Sequence, residues 1–158
     1  MRQKRFSKWT YWAARTDLEN IKYPGIYAIA ISNQNLHDEP FSVREEIVYF
    51  GMTNSTGGLR SRLRQFQSTL KGKKGHGGAD RFMGAHSDYS ELVKKLYVAV
   101  SYTKCSVTSN LPHDLLAMGR VVKQEYECLA EYSRLFEGRR PLYNDRKAVK
   151  RSKLDKAK

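Results

Sequence analysis

Acidic residues are in short supply. Asp and Glu number 16 against 29 Lys and Arg, which leaves a formal charge of +13 and a pI near 9.8. A field of that sign gathers polyanions, and contacts to their phosphates release counterions. It narrows the class to nucleic-acid, ribosome-associated or membrane-surface proteins and leaves the chemistry open. Cysteine is scarce too: Cys105 and Cys128 show no C-x-x-C spacing, which excludes a disulfide framework and leaves both reading as small hydrophobes. His37, His76, His86 and His113 are scattered and do not approach zinc-site spacing. No apolar run approaches the ~20 residues that span a bilayer, so no membrane partner is expected. No apolar segment follows the basic Met1-Arg2-Gln3-Lys4-Arg5 start, which predicts a cytoplasmic location. Neither an internal repeat nor a Pro- or Ser-rich linker divides the chain.

What remains is enough for one domain. The 158 residues are 40% hydrophobic and include 10 Tyr and 6 Phe, a composition that can bury a core without staples. Residues 1–22 read as a basic extension with a short helix and a cap region at Thr16-Asp17-Leu18-Glu19. After Tyr23-Pro24-Gly25, the alternation in Ile26-Tyr27-Ala28-Ile29-Ala30-Ile31 predicts a strand. Residues 32–45 read as a polar connection, and Glu46-Ile47-Val48-Tyr49-Phe50 as a second strand stopped by Gly51. Leu59, Leu63, Phe66 and Leu70 recur at helical spacing with arginines between them, which predicts an amphipathic helix. Lys71 to Gly78 reads as a Gly/Lys loop tip, Lys95 to Tyr102 as a third strand, and Pro112 to Glu137 as a long helix ended by Gly138 and Pro141. Residues 23–145 are thus expected to form an α/β (α+β) domain: a three-stranded, mainly antiparallel sheet flanked by helices in the order β-β-α-β-α. The basic stretch 146–158 reads as a loose tail.

Several side chains carry chemistry in this frame. A lone strand tyrosine is ordinarily core, but Tyr27 and Tyr49 end on neighbouring strands beside an arginine-rich helix. Phenols near cations can orient or deprotonate a water, although an ordinary value near 10 requires help. Gly25 and Gly51 would let backbone approach a phosphate closely, or serve as plain turn residues. Arg60 and Arg62 lie about 200° apart on a helix, so they cannot share a face. Arg62 sits at the edge of the buried stripe, while Arg60 and Arg64 point to nucleic-acid backbone or solvent. Lys71, Lys73, Lys74 and His76, set among glycines, would either wrap a phosphate backbone or form a solvated, mobile tip. On the long helix, Val121, Val122, Cys128, Leu129, Tyr132 and Phe136 share one side at about 100° per residue, and Glu125 falls within that apolar face. A carboxylate there is costly unless paired or metal-bound.

Gly25-Ile26-Tyr27, Tyr49-Phe50-Gly51, Leu59-Arg60-Ser61-Arg62 and Pro141-Leu142-Tyr143-Asn144, taken in order, resemble the signature of the GIY-YIG nuclease family. The second triplet has Phe50 in place of Ile, and Phe66 stands where many members carry His or Tyr. His76 or His86 would have to substitute if a histidine base is required. The resemblance implies a metal-dependent endonuclease acting on DNA, with Tyr27, Tyr49, Arg62, a helical glutamate and Asn144 as its catalytic set. The glutamate would hold one Mg²⁺ or Mn²⁺. Burial pattern favours Glu125, whereas counting back from Pro141 favours Glu131. A homodimer would allow both strands to be cut, and restriction, mobile-element and repair roles are all compatible. The competing expectation is a non-catalytic, basic nucleic-acid-binding module with a degenerate nuclease site.

Overall fold

A computed structural model describes residues 5–73, 76–86 and 88–145. The fold is α+β, as expected, but its sheet has four strands rather than three, all pairs antiparallel. β1 (Thr10–Tyr11), β2 (Gly25–Ile31), β3 (Ile47–Thr53) and β4 (Leu96–Tyr102) lie in the order β1-β4-β2-β3. The additional strand comes from the segment read as an extension. It is only two residues long, too short for alternation to reveal. Trp9 and Trp12 on either side of it are fully buried, so this segment is part of the domain's packing. A 3₁₀ turn at Trp12–Asp17 lies upstream of the helix start suggested by Thr16-Asp17, which instead falls at its end.

The strict alternation of β2 gives the sheet two dissimilar faces. Tyr27 and Ile29 point with Val98 and Val100 into one core, closed by Leu59, Leu63 and Phe66 of α1 (Gly58–Leu70). Burying a side chain of the size of Phe66 stabilises by roughly 1.5–3 kcal/mol. On the opposite face the small residues Ala28, Ala30 and Ala99 leave room for Trp9, Phe50 and Tyr132. Tyr132 belongs to α4 (Pro112–Leu135), which has proline in its first turn and is followed by Gly138 at φ +77°. Val122, assigned by periodicity to the buried side of α4, is 42% exposed.

Two short helices, α2 (Gly77–Ala85) and α3 (Tyr89–Val93), follow the loop tip, in a stretch where the sequence offered no element. Their apolar residues are too few for a periodic stripe, and they are held by packing: Phe82 meets Phe66 and Tyr143 at ring distances of 5.3 and 4.2 Å. α1 is pinned at its start. Its Leu59 and Arg60 amides donate to the carbonyls of Tyr23 and Ile21, at 3.0 and 2.6 Å. Gly58 has φ +62°, and a Cβ there would lie 2.2 Å from the Lys22 carbonyl oxygen, so only glycine allows this approach. The residues preceding β2 therefore fix where α1 begins, and with it the position of Arg62. No helix among the described residues is long and apolar enough to cross a membrane.

Candidate active site

The two signature triplets meet through the β2–β3 register, which sets Tyr27 opposite Gly51 and Ile29 opposite Tyr49. A Cβ on Gly51 would fall 2.4 Å from Cζ and the hydroxyl of Tyr27, so the phenol lies directly across Gly51. Gly51 is therefore a seat for a ring inside β3, which continues to Thr53, and not the stop expected of it. Gly25 packs as closely on β4, where a Cβ would lie 2.2 Å from the Ser101 carbonyl oxygen. Neither glycine is left open for a phosphate. The Tyr27 and Tyr49 rings are 6.0 Å apart and inclined at 46°. Tyr27 is fully enclosed, whereas Tyr49 is only partly buried.

Arg62 holds the edge of the α1 stripe, half-buried, with Arg60 and Arg64 exposed on either side. Its Nη1 donates to Gln65 Oε1 at 3.2 Å, and its buried Nε has no hydrogen-bond partner among the described residues. The guanidinium acts on four groups at once. Burial holds the Tyr27 phenol well above its ordinary range, Tyr49 adds to the rise, and Arg62 opposes it. Tyr49 is raised by burial and, to a lesser degree, by Glu125; Arg62, Arg81 and the neighbouring Tyr27 favour its phenolate. Glu125 is half-buried, its carboxyl raised by burial and lowered by Arg62. Glu131 shares none of this. It pairs with Arg134 on the helix surface at 2.6 and 3.0 Å.

His76 departs most from expectation. Read as a backbone-wrapping loop residue, it is 1% exposed and caps α2. Its ring accepts from the Gly78 and Ala79 amides, at 3.1 and 3.3 Å, and its Nε2 lies 2.7 Å from the Tyr27 hydroxyl. With both nitrogens engaged inside the protein it cannot grip a phosphate chain. The imidazole packs on Phe66 at 4.8 Å between centroids, so it reaches the tyrosines from a different element than the helix position that Phe66 occupies. Burial, then Arg62 and Arg81, push it down to about 3 from 6.5. A depressed folded value means that the unfolded chain binds the additional proton. The resulting stabilisation is complete above about pH 6.5 and is lost as pH falls toward 3, at up to about 1.4 kcal/mol per pH unit. Urea midpoints measured through this range should fall with pH, and less steeply in His76→Asn.

No family model, curated protein or solved structure matches this chain. Among the described residues no three His, Cys, Asp or Glu side chains group to cage a metal. A lone carboxylate, Glu125, suits a Mg²⁺ ion that keeps most of its waters and takes its other oxygens from substrate phosphates. It does not suit zinc, which requires several protein ligands.

Around this centre the other expected residues divide. Lys71 and Lys73 are exposed, as a backbone-contacting role requires, while Lys74 lies outside the described residues. Asn144 is fully occupied: its Nδ2 donates to the Phe50 carbonyl, and its Oδ1 accepts from the Phe50 amide, both at 2.8 Å. The side chain thus pairs with edge strand β3 as a neighbouring strand would, next to Tyr49 and Gly51. Asn144→Ala would strand both groups and is expected to cost roughly 1–3 kcal/mol in urea unfolding. Arg81 was not anticipated. It lies on α2, donates from Nη1 to the Tyr143 carbonyl at 3.0 Å, and adds a second positive charge facing Tyr49 and His76. The signal available for it was Gly-Gly-Ala-Asp-Arg after His76, a helix start without a usual capping residue.

Proposed function

We propose that this protein is a GIY-YIG-type, metal-dependent endonuclease that hydrolyses phosphodiester bonds in DNA. The observation that carries the reading is the convergence of Arg62 on Tyr27, Tyr49 and Glu125, residues from four different elements. A structural arginine satisfied by an acid would not need two phenols beside it. The chain's net charge of +13 supports a polyanionic substrate.

In this reading Tyr49, the more accessible phenol, orients the attacking water, and Tyr27 holds it in place from behind. As the water oxygen bonds to phosphorus it releases one proton to solvent, negative charge builds on the phosphoryl oxygens and Arg62 stabilises it. The bond to the leaving oxygen then breaks, and that oxygen takes a proton from solvent. Glu125 would hold a divalent ion, which when bound supplies Lewis-acid polarisation of the phosphate. Arg60, Arg64, Lys71 and Lys73 would hold flanking phosphates without reading bases. A single site cuts one strand at a time, so double-strand breaks require two copies or two encounters.

The test is conversion of supercoiled plasmid to nicked or linear forms with Mg²⁺ or Mn²⁺, over several salt concentrations and on a randomised library. Product should appear with the wild type and not with Arg62→Ala. Intact DNA in all conditions, with binding retained, would leave a nucleic-acid-binding module as the better description.

A further inference from the structure

β4 is buried along its length except at its last residue, Tyr102, which is 37% exposed. Alternation puts Tyr102 on the sheet face of Val100, and the β2–β4 register sets it opposite Gly25, two residues before Tyr27. Its ring stacks on that of Tyr23, with centroids 6.1 Å apart and planes inclined at 26°. Lys22 and Lys104 both bring Nζ to the Tyr23 ring, at 5.2 and 6.0 Å from its centroid. Among the described residues neither lysine pairs with a carboxylate. A surface ring gains little from one ammonium, and the second repels the first, a repulsion that an incoming phosphate would relieve. The pair is held by backbone: the Tyr23 carbonyl accepts from Leu59 at 3.0 Å, and the Thr103 amide donates to the Pro24 carbonyl at 2.7 Å. Those bonds tie it to the first turn of α1, where Arg60 is exposed and Arg62 follows about 3 Å further along the axis. A second surface stack, Tyr11 on His37 at 4.4 Å, differs in charge: Asp38 Oδ2 lies 3.6 Å from His37 Nε2 and would repel a phosphate.

We propose that Tyr23 and Tyr102, flanked by Lys22 and Lys104, form a stacking subsite for an unpaired nucleobase, the lysines taking the phosphates beside it. Within a duplex both faces of each base are covered by its neighbours, so a tyrosine ring stacks only on a base that has left the helix. Such stacking tolerates any sequence, because every base has a π-face. The subsite thus selects strand structure and not base identity. A strand whose scissile phosphate meets Arg62 would reach the stack by way of Arg60. The preferred substrate is therefore DNA with an unpaired nucleotide beside the cleaved bond.

This inference rests on the nuclease reading, and a binding assay without metal separates the two. The full chain is mixed, in EDTA, with a fully paired duplex and with the same duplex carrying a central bulge that contains 2-aminopurine. The bulge should strengthen binding, and complex formation should quench the 2-aminopurine fluorescence. Tyr102→Ala should weaken binding of the bulged duplex by roughly 5- to 150-fold, the range for one base–aromatic stack, and leave the paired duplex nearly unaffected. Tyr102→Phe should keep both preference and quenching. Tyr102→Leu retains an apolar side chain without a stacking face, should lose both, and covers the case of Tyr102→Ala failing to fold. Lys22→Gln and Lys104→Gln should each lower the salt slope of binding by about one. Equal affinity of the wild type for the two duplexes, or an undiminished preference in a folded Tyr102→Ala or Tyr102→Leu, would overturn the subsite whether or not the protein cleaves. A preference that depends on Tyr102 in a protein that cuts no DNA would instead overturn the nuclease reading and leave the subsite standing.

Discussion

Arg62→Ala is expected to lower the cleavage rate by about 10²–10³-fold, the usual cost of removing one preorganised donor to transition-state charge. The loss should fall on kcat. Arg62 is half-buried beside Tyr27, Tyr49 and Glu125, where, under the proposed nuclease reading, its guanidinium would face the charge that develops on the phosphate. Under the same reading, substrate affinity would depend more on the exposed cations around it. Arg62→Lys should recover little, because an ammonium lacks the planar fork that grips two oxygens. Its buried Nε, unpartnered among the described residues, is a donor that lysine has no means to replace at the same place.

The neighbouring arginines serve as controls on the same helix. Arg60 and Arg64 are exposed, so Arg60→Ala and Arg64→Ala should each reduce the salt slope of DNA binding by about one and leave kcat nearly unchanged. Single-turnover rates with saturating enzyme separate the two effects. A fall in kcat at Arg60 equal to that at Arg62 would mean that α1 presents a different face to the phosphate.

The helical face of α1 was legible because its apolar residues are spaced for a helix, and this alone set Arg62 at the boundary and Arg60 and Arg64 in solvent. β2 was legible from its alternation, and β3 and β4 as apolar, β-rich runs; each strand has seven residues, long enough for such a pattern to declare itself. β1 has two and declares nothing. α2 was hidden by local chemistry. Gly77 and Gly78 are poor helix formers, and the cap is a histidine, a role ordinarily taken by Ser, Thr, Asp or Asn. What makes that segment helical is the contact of Phe82 with Phe66 and Tyr143, residues 16 and 61 positions away, which no local pattern can show. The same non-local packing carries His76 and Arg81 to the tyrosines. A pattern of glycines and lysines reads as a solvated loop unless one knows what closes over it. Gly51 shows the converse: its place in the triplet was visible, but its purpose, a seat for Tyr27, depends on strand register.

Register on α4 decides the second large effect. Glu125→Gln should abolish metal-dependent cleavage and Mn²⁺ binding, while Glu131→Gln should leave both unchanged. Loss of residues that only support a metal ligand commonly costs 10–100-fold, so loss of the ligand itself should exceed about 100-fold. Spacing from Pro141 argued for Glu131, but α4 turns that residue to the surface, where Arg134 occupies both of its oxygens. Glu125 instead lies half-buried toward Arg62 and Tyr49, on the buried side of the helix as its apolar neighbours required. Burial raises its carboxyl, with Arg62 acting against the rise. Metal affinity should therefore weaken as pH falls through that raised value, before an exposed glutamate would begin to protonate. Folding responds in the opposite sense to function. Gln at this position relieves the cost of enclosing a charge, so the inactive Glu125→Gln protein should unfold in urea no earlier than the wild type. Electron paramagnetic resonance of Mn²⁺ mixed with each variant gives the decisive comparison. Free-ion spectra for Glu131→Gln together with bound-ion spectra for Glu125→Gln would reverse the assignment and move the metal to the outer face of α4.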